Sequence, residues 1–141
     1  MSFARNEGGN VNELDDDRFA YLVRPQVLFR LLMGNEAKDI LVVMVTASNQ
    51  EEAARIADQS VQSRQAACAT TVPMVYSTYW WEGKVVREQE VMVLLKTTAE
   101  KYPILRETIQ RIHSYKVPEI LAMPVADGLP QYLEWVREET S

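Results

Sequence analysis

One cysteine and one histidine in 141 residues set the first limits on this sequence. A single cysteine cannot close a disulfide framework or build an all-cysteine metal knot within one subunit. A single histidine leaves little room for a conventional catalytic triad. No glycine-rich phosphate loop, nucleophile elbow or HExxH pattern is present. Long apolar runs are missing too, so no stretch is long enough to cross a bilayer. The opening stretch MSFARNEGGNVNELDDD is polar and acidic and lacks a charged-then-apolar leader. A soluble, reducing, cytoplasmic setting is the expectation. Runs of Lys and Arg are also absent: 15 basic side chains stand against 20 acidic ones, for a net charge of -5. Nothing here neutralises consecutive phosphates, so neither nucleic acid nor a membrane surface is expected as a partner.

What is present is an ordinary globular mixture, 47% hydrophobic and 25% charged. A chain of this size buries roughly two-thirds of its unfolded surface, so no metal is needed for folding. It divides into residues 1–38, an N-terminal extension, and residues 39–141, a densely patterned domain. In the extension, Gly8, Gly9 and the run Asp15-Asp16-Asp17 read as loop or disorder. Phe19, Leu22, Val23, Val27, Leu28, Leu31 and Leu32 then recur at helical spacing. One or two short amphipathic helices follow from that, the second starting at Pro25 and ending at Gly34-Asn35.

The patterned domain opens with ILVVMV at 40–45, short and β-branched, a central strand. Ser48 and Glu51 make a capping-box pattern. The helix that follows carries Ala53, Ile56, Ala57 and Val61 inward and Glu52, Arg55, Asp58 and Gln62 outward, and ends near Arg64 or Gln65. Two long strands joined at Glu82-Gly83-Lys84 make a hairpin, bent or bulged at Pro73. In its second arm both faces stay apolar. A second helix spans about 100–113 with the stripe Leu105, Ile109 and Ile112. A strand between Pro118 and Pro124 and a terminal helix begun at Pro130, with Leu133 and Val136 inward, complete the order.

Strand, helix, strand, strand, helix, strand is the split βαβ arrangement, an α+β ferredoxin-like fold. It is an antiparallel sheet with two helices on one face, here with a C-terminal helix and a partly helical N-terminal extension. The other sheet face would present Val, Met and Leu to water, which points to self-association.

The distinctive pieces are Ala66-Ala67-Cys68; Ser77 to Val85, ending Trp81-Glu82-Gly83-Lys84-Val85; Glu90; and Lys96-Thr97-Thr98. To these add His113 with Tyr115, Val117-Pro118-Glu119-Ile120, and Tyr132-Leu133-x-Trp135. In this order, over about 40–137, the sequence resembles the CutA divalent-cation tolerance proteins. The resemblance implies a compact homotrimer with edge-to-edge strand pairing, a cytoplasmic setting, binding of copper and other divalent ions, and no catalytic activity. Thr70 stands where the family commonly has Asn, and Trp80 where it commonly has Arg.

The chemistry of the residues leaves alternatives open. Cys68 is either a small buried hydrophobe or a soft ligand for copper or zinc, with a redox-sensing thiol as a third reading. His113, at a helix C-terminus that favours the imidazolium, is either a cap or a metal ligand. Glu90 and Glu119 are the carboxylates that could complete a metal set, since two ligands fall short of a closed zinc site. Lys96 reads as an anion-binding group or as the partner of Glu90 in an intersubunit cleft. Trp81, Tyr115 and Trp135 are candidate walls of a ligand pocket, against the plainer reading of aromatic interface. The two functions in view are a non-catalytic, homotrimeric metal-tolerance protein that binds divalent ions, copper foremost, and a trimeric small-molecule sensor or scaffold using an intersubunit cleft.

Overall fold

The computed structural model describes residues 37–141; the expected helices of the N-terminal extension lie outside these residues. Strand β1 (Ile40–Ala47) is followed by α1 (Gln50–Gln62), the hairpin β2 (Cys68–Trp81) and β3 (Lys84–Thr98), α2 (Tyr102–Ile112), β4 (Ile120–Pro124) and α3 (Pro130–Glu139). The strands form one sheet in the order β2-β3-β1-β4, and every neighbouring pair is antiparallel. This is the ferredoxin-like split βαβ topology.

Alternation along each strand assigns its side chains to two faces. Val43, Val45, Ala47, Val91, Val93 and Leu95 point to one face. They form the main core with Ala53 and Ile56 of α1 and Leu105 and Ile109 of α2. Each of the larger aliphatic side chains contributes roughly 2 kcal/mol by leaving water. Val42, Met44, Met92 and Leu94 take the opposite face and are only half-buried, with Leu121 50% and Met123 42% exposed beside them. Neither α1 nor α2 lies on this face, and α3 packs on it at its Ile40 end. A second, smaller cluster of Ala37, Ile40, Ala67, Leu133 and Val136 seats α3 where β1 begins, and Arg137 clamps it there through two 2.9 Å bonds to Asp39.

Several local expectations need correction. The N-cap of α1 is Asn49, not Ser48: its side chain accepts the Glu52 N–H at 2.9 Å. The reciprocal half of the capping box comes from Glu52, not Glu51, and Glu52 accepts the Ser48 N–H at 3.0 Å. Glu52 is therefore buried, at 1% exposure, instead of facing outward. At the other end Val61 is exposed and Ser60 takes the inward position. The helix stops at Gln62, because Arg64 turns to φ 58° and breaks the helical repeat.

Pro73 behaves as its missing donor requires. The β2–β3 register slips between Val72 and Val75, with one extra residue on β2. Before the bulge Cys68, Thr70 and Val72 lie on the face opposite α1 and α2; beyond it Val75, Ser77, Tyr79 and Trp81 do. The ribbon closes in a two-residue turn, with Glu82 at φ 48° and Gly83 at φ 78°.

Candidate functional site

The end of β1 gathers most of the polar groups singled out by the sequence. His113, the C-cap of α2, is 8% exposed. Its Nδ1 accepts the Tyr115 N–H at 3.0 Å, and its Nε2 lies 2.8 Å from the Thr46 carbonyl. A backbone N–H at Nδ1 and a carbonyl at Nε2 place the ring hydrogen on Nε2. Glu52 approaches from α1. One oxygen accepts from the Ser48 N–H and hydroxyl, and the other accepts the Ser114 N–H at 2.8 Å. Burial by itself would raise the Glu52 carboxyl; the Ser114 and Ser48 donors outweigh it and hold the group down at about 2.

Tyr115 extends this network to β3. Its hydroxyl donates to Glu90 Oε2 at 3.2 Å. Burial, followed by the charge of Glu90, pushes the phenol up to about 12, so it stays a donor. Further out on the same face the Tyr79 hydroxyl meets Glu88, and that hydrogen bond raises the Tyr79 phenol. Glu119 joins from the loop before β4 and accepts the Thr46 hydroxyl at 3.1 Å. His113, Glu90, Glu119 and Tyr115 are thus linked through Thr46 and one another.

Cys68 is not part of this group. It opens β2 opposite Lys96, whereas Thr46 pairs with Met92. Four residues along β3 separate the two places by about 13 Å, which excludes a Cys68–His113 dyad within the chain. Around Cys68 the neighbours are Tyr132, whose phenol is raised by burial and by the adjacent thiol, and Lys96, which donates to Thr70 Oγ1 at 2.6 Å and to the Leu94 carbonyl at 3.2 Å. The expected Lys96–Glu90 ion pair does not form within the chain, because six residues of β3 hold them about 20 Å apart.

The three candidate pocket walls are also dispersed. Trp81 is 60% exposed at the tip of the ribbon. Tyr115 stacks near His113, with centroids 4.9 Å apart, and Trp135 packs on Tyr132 at 5.6 Å. Among the described residues no group of three or more His, Cys, Asp or Glu side chains is arranged to hold a metal ion. Both ring nitrogens of His113 are engaged by the backbone.

Sequence reasoning missed Glu52 and Thr46. Glu52 carried a signal, since a Glu at the third helical position is a capping-box residue that reaches back to the cap. Thr46 carried none, because its partners come from α2 and from the loop before β4.

Residues 41–139 match the family described as CutA1 divalent ion tolerance protein. The divalent-cation tolerance protein CutA of Thermus thermophilus is 46% identical over 99 residues, covering 70% of this chain and 96% of that protein. Protein CutA 1, chloroplastic, of Oryza sativa subsp. japonica is 39% identical over 100 residues, and the match spans 56% of that protein's length. Among solved structures, the divalent cation tolerance protein from Thermus thermophilus superposes with a TM-score of 0.71 at 44% identity, covering 72% of this chain and 99% of its own. CutA1 from Oryza sativa gives 0.72 at 37% identity, covering 74% and 96%. With the fold, the ordered motifs and these similarities in agreement, the chain belongs to the CutA1 divalent ion tolerance protein family.

Proposed function

We propose that this chain acts in divalent-cation tolerance as a non-catalytic homotrimer that binds divalent metal ions, copper foremost, in a reducing cytoplasmic setting. The observation that carries the assembly is the sheet face opposite α1 and α2: Val42, Met44, Met92, Leu94, Leu121 and Met123 form one apolar patch across three strands. The described residues leave that area open to water, and a second copy removes it. Folding needs no metal in this reading.

For the metal, Cys68 is the donor to back. Thiolate suits copper and zinc, and the side chain is half-buried at the start of the edge strand β2. His113 is structural, because both of its nitrogens already hold the backbone. One thiol per chain makes the bound metal exchangeable, with further ligands coming from other subunits. Titration of the reduced protein with Cu(I), Cu(II) and Zn(II), beside Cys68→Ala and His113→Ala, tests this. The expected result is stoichiometric copper uptake that Cys68→Ala abolishes and His113→Ala keeps. Uptake unchanged in Cys68→Ala rejects the role given to the thiol. Sedimentation of the wild type checks the trimer independently.

A further inference from the structure

The sheet face opposite α1 and α2 carries opposite charges at separate places. Reading every second residue of β3 from its C-terminal end gives Lys96, Leu94, Met92, Glu90 and Glu88: one cation, two apolar side chains, two carboxylates. Glu88 is exposed, but Glu90 is only 6% exposed. Among the described residues the hydrogen bond to Glu90 is the one from the Tyr115 hydroxyl, and no Lys or Arg lies within ion-pair distance of it. A carboxylate taken this far out of water ordinarily has a cation beside it. The sealed, unpartnered side-chain oxygens of the described residues are Ser60 Oγ and Gln65 Oε1. The second oxygen of Glu90 is not one of them and stays open to an incoming donor.

Lys96 has the opposite deficit. Its ammonium donates to a hydroxyl and a carbonyl and, among the described residues, to no carboxylate. The strand holds it about 20 Å from Glu90, beyond the reach of any rotamer. We infer that the two meet across a subunit boundary, Lys96 of one copy donating to Glu90 of the next, with Tyr115 holding the carboxylate in place. The inference rests on the trimer reading and gives it a specific contact. The two ends of the face carry opposite charge, so the cationic end of one copy can meet the carboxylate end of the next in a head-to-tail contact. Around a three-fold axis each subunit gives Lys96 to one neighbour and receives a lysine at Glu90 from the other. The ring closes with each of these charges used once.

The test is a double-mutant cycle on assembly, using Lys96→Met, Glu90→Gln and the double variant of the full chain. Sedimentation equilibrium at low and high salt gives the dissociation constant, and circular dichroism confirms that each variant folds. The pairing predicts that each single variant weakens assembly on the order of tenfold or more and that the double variant is no worse than the weaker single. Mixing the two single variants should recover part of the loss, because mixed rings regain intact pairs. Losses that multiply in the double variant, or assembly unchanged in both singles, overturn the pairing while leaving a trimeric wild type standing. A monomeric wild type overturns both. If Glu90→Gln fails to fold, Lys96→Met and Lys96→Arg decide alone: assembly lost in the first and kept in the second supports the pair, and assembly kept in both rejects it.

Discussion

The carboxylate of Glu52 accepts the Ser114 backbone N–H at 2.8 Å, which ties the first turn of α1 to the residue that leaves the C-terminal end of α2. The same carboxylate holds Ser48 at the end of β1. One buried acid therefore fixes the chain direction at three element ends, and it sets the loop from which Tyr115 reaches Glu90. The positions of the polar site depend on it.

Glu52→Gln should lower stability at neutral pH by about 2–4 kcal/mol, since an amide cannot accept every donor aimed at the carboxylate. The acid limb should change as well. The folded carboxyl titrates near 2 and the unfolded one near its ordinary 4.5. Above 4.5 both states are ionised and the stabilisation is complete. As the pH falls through 4.5 toward 2, the unfolded state takes up the proton first and about 3 kcal/mol is lost. Urea unfolding across this window should show a smaller pH slope for Glu52→Gln than for the wild type. Equal slopes would mean that Glu52 is not the titrating group.

The His113 ring should be found as the Nε2–H tautomer at neutral pH. Long-range proton–nitrogen NMR correlations read this directly, with Nδ1 at the unprotonated position and Nε2 at the protonated one. A protonated Nδ1 would contradict the bond from Tyr115. Replacing the ring with Ala strands the Thr46 carbonyl and the Tyr115 N–H, at a cost of about 2–4 kcal/mol in chemical unfolding.

Strands and helices were legible wherever one periodicity ran without competition. The alternation of Val91, Val93 and Leu95 against Met92 and Leu94 separated the two faces of β3, both apolar, without choosing the one that meets the helices, and Pro73 marked the bulge through its missing donor. Ambiguity arose at Ser48-Asn49, where adjacent residues can both cap and two glutamates follow, so spacing could not choose between them. Glu52 was misread because acids seldom go inside unpaired, and its donor at Ser114 lies 62 residues away. The candidate site residues were legible one by one but not as neighbours. Whether Cys68 and His113 meet depends on strand register, which puts one beside Lys96 and the other beside Thr46.

Glu82→Asn should stabilise the hairpin. Both turn residues have positive φ, 48° at Glu82 and 78° at Gly83, and a two-residue turn of this kind favours Asn-Gly. Asn tolerates the left-handed region better than Glu, so a gain of about 0.5–1 kcal/mol is expected. Thermal unfolding checks it, and a lower midpoint would show that the Glu82 side chain does more than occupy the turn.

Gly128→Ala tests how tightly α3 is seated. A Cβ at Gly128 would stand 2.9 Å from Leu133 Cδ2 and 3.2 Å from its Cγ, closer than packed carbons approach. A surface leucine would swing aside, but Leu133 is 4% exposed and wedged among Ala37, Ile40, Ala67 and Val136. The added methyl therefore forces strain on the cluster, with an expected loss of about 1–3 kcal/mol. Leu133→Ala alone should cost about 2–5 kcal/mol by opening a cavity. Combining the two separates clash from backbone: once Leu133 is truncated, nothing obstructs the Gly128 methyl. The double variant should then be no less stable than Leu133→Ala and gain slightly from the stiffer unfolded chain. If Gly128→Ala costs as much in the Leu133→Ala background as in the wild type, the penalty comes from the backbone at residue 128, and the contact with Leu133 is not what limits the seating of α3.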